Sequence, residues 1–325
     1  MGRIAYLAIA VAVLPSAMSR TAIAEARSIA LPGLRAFPES LTSTADGTLF
    51  IGRLGDGGIV RANARSGEVA VFVPTGASES RSISGVFADE RANTLWACSN
   101  DLGALGGPSG SGDGRSALKG FDLRTGAAKR SVRLPGAHAF CNDIAVDARG
   151  AIYVTDSAGP NILRLSAGAS TFETFASSPQ FTPPEGGVGL DGIAFGRDGN
   201  LYVTTYTAGG LFRVDVKGGQ ADGVTKLHGR SPVTRPDALR SLGENSFLLI
   251  EGSGTLDRVS ITGDAFAAAP IGGGFREPTS VTRVESTAWV SEGQLALFFD
   301  PARRKSPPSL PFRIYAVPLV GDQTR

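Results

Sequence analysis

Asn142-Asp143-Ile144-Ala145-Val146-Asp147-Ala148-Arg149-Gly150-Ala151-Ile152-Tyr153-Val154-Thr155-Asp156 is the stretch that decides the fold. Its apolar residues alternate, a glycine turn interrupts them, and a β-branched and aromatic strand closes the unit. The outline recurs as PESLTSTADGTLFIG from Pro38, SGVFADERANTLWAC from Ser84, DGIAFGRDGNLYVTT from Asp191, DALRSLGENSFLLIE from Asp237 and TSVTRVESTAWVSEG from Thr279. Overlaid, the six copies place one polar residue in a single column: Glu39, Ser84, Asn142, Asp191, Asp237 and Thr279. These are spaced 45, 58, 49, 46 and 42 residues apart, close to the roughly 40–50 residues of a four-stranded propeller blade.

Two more strands follow in the clearer copies, Asn161 to Leu165 with Ser170 to Phe175, and Gly210 to Asp215 with Val224 to Leu227. Helical periodicity is nearly absent, which argues against α/β classes. The expected fold is all-β: a six-bladed β-propeller with four-stranded blades, residues 25–325 forming one domain around one continuous core. Phe312 to Val317 reads as a third strand of the last blade, and Ser28 to Leu31 can supply its outer strand, closing the ring and removing an exposed edge.

The 43 glycines and 19 prolines suit dense turns, because 42% of the chain is hydrophobic. Net charge is +2, and the short run Arg303-Arg304-Lys305 is no basic stripe, so nucleic-acid binding is not expected. Arg3, the apolar run Ile4 to Leu14 and Ala22-Ile23-Ala24 read as a signal peptide over residues 1–24, with an uncleaved membrane tether as the alternative. No later segment approaches the roughly 20 apolar residues of a membrane span. The mature chain is therefore expected to be periplasmic or secreted, and monomeric. In an oxidising compartment Cys98, ending a second strand, and Cys141, just before the next blade's first strand, are candidates for a disulfide; the alternative is two buried thiols.

Residues that open innermost strands converge on the channel axis, so the column becomes a ring of three carboxylates, one amide and two hydroxyls. Uncompensated, the carboxylates would raise one another's pKa. One divalent cation removes that conflict, and oxygen ligands favour Ca²⁺, with Mg²⁺, Mn²⁺ and Zn²⁺ as alternatives. The competing reading is a wet channel mouth whose polar groups pair with arginines.

The openings Asn142-Asp143-Ile144-Ala145-Val146-Asp147, Leu190-Asp191-Gly192-Ile193-Ala194-Phe195, Pro236-Asp237-Ala238-Leu239 and Pro38-Glu39 resemble those of the regucalcin, gluconolactonase and luciferin-regenerating-enzyme family, through most of the mature chain. The resemblance implies a metal at the channel mouth with Glu39 and Asp237 as ligands, Asp237 also as general base, and Asn142 as a substrate contact. Asp191 stands where the family has a metal-binding Asn, which adds a third negative charge, favours the cation and disfavours anionic substrates. The metal set is then Glu39, Asp191 and Asp237. The family's substrate-gripping Arg in the second blade has no direct counterpart; Ser84 holds that column position, and Arg81 is a stand-in. Ser84 and Thr279 read as bystanders.

The implied function is an exported, metal-dependent hydrolase of a lactone or related cyclic ester, acting on an uncharged or weakly charged small molecule. The alternative is a non-catalytic exported propeller that binds a ligand or protein around a structural metal. A lyase like the streptogramin-opening propellers ranks last, because neither His138 nor His228 lies in the column. Three long stretches, Asp101 to Ala117, Ser177 to Leu190 and Gln294 to Pro311, should emerge on the face of the column as a lid or specificity wall. Asp156, Glu251 and Glu292 end second strands on that face, either supporting ligand groups or as plain surface carboxylates. Gly187-Val188-Gly189-Leu190-Asp191-Gly192 matches G-x-G-x-x-G but leads into a strand, so no helix is there to bind a phosphate.

Overall fold

The computed structural model describes residues 27–108 and 115–319; the expected signal peptide lies outside them. Six antiparallel sheets follow one another along the chain. Blade one is Pro38–Ser43, Thr48–Arg53, Ile59–Asn63 and Val69–Val73; blade two is Ser82–Asp89, Thr94–Asn100, Ala117–Asp122 and Ala128–Arg133. Blade three is Cys141–Val146, Ile152–Asp156, Asn161–Leu165 and Glu173–Ser177; blade four is Leu190–Phe195, Leu201–Thr205, Gly210–Lys217 and Gln220–Lys226. Blade five, Pro236–Gly243, Ser246–Glu251, Thr255–Thr262 and Ala265–Gly273, carries a fifth short strand, His228–Gly229, parallel to its outer edge. Blade six is Pro278–Val284, Thr287–Glu292 and Phe312–Pro318, completed by Ser28–Leu31.

The ring closes as expected: Ser28 pairs with Tyr315 and Leu31 with Phe312. Ile29 and Leu31, both almost fully buried, then pack with Trp289 and Phe312 of blade six and Leu41 of blade one. The core is not one continuous body, however. It divides into six apolar clusters, one at each blade junction, because each blade is apolar on both faces and must bury both against its neighbours. The clusters fix the angles between blades and so hold the inner strands around one axis.

Each inner strand breaks register at its column residue. In blades two to five two residues face one across the pair, with Ser84 and Gly85 opposite Cys98 and Asp191 and Gly192 opposite Thr204; in blades one and six a single residue, Glu39 or Thr279, is extra. A bulge turns a side chain out of the pleat, and here it brings Glu39, Asn142, Asp191, Asp237 and Thr279 to the cavity at the channel mouth. The glycines after Ser84 and Asp191 are required by crowding. A Cβ on Gly85 would lie 2.2 Å from the Asn142 carbonyl oxygen, and one on Gly192 would lie 2.3 Å from that of Asp237.

Cys98 and Cys141 form a disulfide between blades two and three. Among the described residues no helix is long and apolar enough to cross a membrane.

Candidate functional site

The second strands lock the bulges in place. Thr155 Oγ1 accepts from the Asp143 amide and donates to the Asp191 carbonyl at 2.7 Å. Thr204 Oγ1 repeats this, accepting from the Gly192 amide and donating to the Asp237 carbonyl at 3.1 Å. Cys98 occupies the same position in blade two, where its tie to the next blade is covalent. Asp156, Glu251 and Glu292 accept from the amides of Phe140, Thr234 and Arg276 respectively. They therefore pin the backbone just before a column residue, and their role is structural.

Above the ring lies a cavity of about 580 Å³ whose floor includes Glu39, Asn142, Asp191 and Asp237, within the size range of small-molecule sites. All three long loops reach it, contributing Leu102, Val188 and Phe299 among others, so they share the face predicted for them. Glu277 anchors the last of these: its carboxylate accepts from the Ala296 amide at 2.8 Å and from Arg303 at 2.7 Å.

The floor is electrostatically overloaded. Glu39, Asp191 and Asp237 are each under 10% exposed. Burial pushes all three carboxyls well above their ordinary values, and mutual repulsion, together with Asp143, adds to it. Asp237, Arg240 and Asn142 work against the rise at Asp191. Asn142 is held from behind, its Nδ2 donating to Ser157 Oγ at 2.7 Å, and Ser157 donates on to the Leu190 carbonyl. Arg240, three residues beyond Asp237, is the cation beneath the ring. It is committed to Asp143 through paired contacts of 2.6 and 2.9 Å across the channel, a bidentate geometry that fixes both groups.

Among the described residues no three His, Cys, Asp or Glu side chains converge closely enough to hold a metal ion as they stand. The donor set has the chemistry of a hard-cation site all the same: three buried carboxylates and an amide, with no sulfur or imidazole, and with the nearest arginine already paired. The remaining predicted residues divide. Ser84 Oγ donates to the Cys141 carbonyl and Thr279 Oγ1 to that of Pro38, so both tie neighbouring blades together. Arg81 pairs with Asp101 at 3.0 Å and lies outside the cavity wall. Neither histidine lines the cavity, and both are exposed.

Several residues of the site escape sequence reasoning: Asp143, Tyr206, Arg235, Arg240 and Glu277. Burial first, then Asp237 and Asp191, holds the Tyr206 hydroxyl protonated by raising its pKa above the ordinary 10.0. Arg235 and Glu277 precede Pro236 and Pro278 and have left-handed backbones, φ 51° and 49°, as Phe37 does before Pro38 at 41°. Each such carbonyl accepts from an amide just past the second strand, Leu54, Gly252 or Gly293. That clasp holds a strained conformation, and the triplet of any residue, Pro and a column residue, present three times, was its signal in the sequence.

No protein-family model and no curated protein matches the chain. Solved structures do. The Malassezia sympodialis allergen Mala s 1 superposes with a TM-score of 0.68 at 16% identity, over 89% of this chain and 95% of that one. A gluconolactonase from Xanthomonas campestris gives 0.64 at 17% identity, over 91% and 90%. Virginiamycin B lyase from Staphylococcus aureus gives 0.57 at 16%, over 91% and 99%. At these identities the likeness is one of architecture, and it meets the resemblance read from the blade openings at that level: the chain is a six-bladed β-propeller similar in fold to gluconolactonase and virginiamycin B lyase structures.

Proposed function

We propose that the protein is an exported hydrolase of a lactone or related cyclic ester, assisted by one divalent cation, Ca²⁺ first and Mg²⁺, Mn²⁺ or Zn²⁺ otherwise. The observation that carries this reading is the set of three buried carboxylates, each from a different blade, on the floor of one cavity. Three such groups are stable as anions only beside positive charge, and Arg240, ion-paired with Asp143, lowers their pKa values without overcoming burial. The likeness in fold to a gluconolactonase adds to it. The Cys98–Cys141 disulfide supports export, since such bonds persist in oxidising compartments.

Glu39, Asp191 and Asp237 would hold the cation, which when bound polarises a carbonyl and offsets the charge that develops on its oxygen. Asp237 takes a proton from water as the water oxygen bonds to the carbonyl carbon. The ring C–O bond then breaks, its electron pair goes to the leaving oxygen, and Asp237 returns the proton there to give a hydroxy acid. Asn142, fixed by Ser157, orients the ester. The three loops limit water to what the cavity admits. The virginiamycin B lyase likeness carries no comparable reading, because no histidine lines the cavity.

The test is turnover of a lactone panel with each of the four ions by wild type, Glu39→Gln and Asp237→Asn, with folding checked by circular dichroism. Turnover by wild type alone supports hydrolysis. Cation binding without turnover of any lactone leaves the non-catalytic propeller.

A further inference from the structure

The cavity wall is divided around the ring. Going from blade six through blades one, two and three to the loop entering blade four, it presents Phe299, Leu295, Leu54, Leu102, Phe140 and Val188. Polar wall residues stand in blade three (Ser157) and blade six (Glu277, Thr279 and Asp300) as well as in blades four and five, where they are Tyr206 and Arg235. The other polar side chains of the wall are already engaged: Ser157 with Asn142 and Leu190, Thr279 with Pro38 and Ser291, Glu277 with Ala296 and Arg303, Asp300 with Ala302. Phe299 is 39% exposed and Val188 38%, two of the few large apolar side chains left open to solvent among the described residues. Both stand at the mouth of this cavity, on different loops. Exposed apolar groups gathered around one opening mark a place where an apolar ligand removes them from water.

A ring carrying several hydroxyls would be poorly served here. Each hydroxyl buried without a partner opposes binding, and most of the wall's polar side chains are already hydrogen-bonded within the protein, with Tyr206 and Arg235, both on one side, the ones that are not. A hydrocarbon chain meets the opposite requirement along most of the circumference. Resting on the hydrolytic reading above, we infer that the substrate is a lactone or cyclic ester bearing an alkyl or aryl substituent, with its ester at the acidic floor and its substituent against the Leu102, Leu295 and Phe299 arc. Sugar-type lactones are the poor substrates of this site, despite the gluconolactonase likeness of the fold.

The experiment compares kcat/KM for δ-valerolactone, δ-decalactone and D-glucono-δ-lactone. Expected is a rise of about fourfold per added methylene until the cavity is filled, with the sugar lactone slowest. Phe299→Ser and Val188→Ser, both on partly exposed loops, should each lower the decalactone to valerolactone ratio. A sugar lactone turned over as well as δ-decalactone, or a ratio that neither substitution moves, would overturn the inference. Should no lactone be hydrolysed, the hydrolytic reading fails alone, and calorimetry with 2-pentyltetrahydropyran against tetrahydropyran decides the chain preference. Tighter binding of the pentyl compound, weakened in Phe299→Ser, upholds it; equal or absent binding overturns it.

Discussion

In blade two the column position holds Ser84, whose hydroxyl is spent on the Cys141 carbonyl of blade three; in blade four it holds Asp191, whose carboxylate lines the cavity. Both side chains sit on the same bulge of the same strand. The backbone thus offers one bulged column position per blade, which can either staple the next blade or carry chemistry. In blades three and four the staple has moved to the second strand, to Thr155 and Thr204, leaving Asn142 and Asp191 for the floor. Blade six shows the other choice, with Thr279 donating to the Pro38 carbonyl and hydrogen-bonded to Ser291.

The largest effect expected from this contrast is in catalysis. Asp237→Asn should reduce lactone kcat/KM by about 10²–10⁴-fold, whereas Ser84→Ala should leave it nearly unchanged and lower stability instead. Equal losses of activity would break the distinction between the two kinds of column residue. Next comes the covalent staple. The Cys98→Ser, Cys141→Ser double variant opens a bridge spanning 43 residues, for which chain entropy gives about 4 kcal/mol of lost stability. Denaturant unfolding reads this directly, and a loss near zero would mean that the Asn100 side chain, which donates to the Cys141 carbonyl and accepts from the Cys141 amide, suffices to join the two blades.

A finer division separates Thr204→Val from Thr279→Val. Each leaves buried backbone groups unpaired and should destabilise by about 1–3 kcal/mol. Only Thr204→Val should also slow turnover, because it releases the backbone of Gly192 and Asp237 behind the proposed base. The smallest effect on turnover belongs to Arg81→Ala, which removes an ion pair with Asp101 outside the cavity wall. A large rise in KM in that variant would return Arg81 to the substrate contact that the family resemblance implies.

The ring, its six starts and its closure by Ser28–Leu31 were legible because burial imposes period two on every strand and the chain repeats the pattern six times. The proximity of Cys98 and Cys141 followed from the same up-and-down order. Asp143 and Arg240 were not legible. Which of two bulged residues faces the axis depends on local backbone geometry, and a pair 97 residues apart meets only because the inner strands of blades three and five, on either side of blade four, both border the channel. The left-handed backbones of Arg235 and Glu277 run against the usual extended preference of a residue before proline, so propensity pointed away from them. The division of the core into six wedges likewise follows from three-dimensional packing, which the strand pattern leaves open.

The central claim, that the acidic floor is a cation site, is tested most directly by thermal unfolding against pH in chelator and with each of the four divalent ions. Glu39, Asp191 and Asp237 have pKa values raised in the folded state above the ordinary 4.5 and 3.8, so folding takes up protons. The stability they contribute is complete below those ordinary values and is lost as pH rises through the raised ones. In chelator the melting temperature should therefore fall as pH rises above the ordinary carboxylate range. A fitting ion should reverse the fall, most strongly at high pH, and Asp191→Asn should shrink both effects. Profiles that coincide with and without every ion would contradict the account.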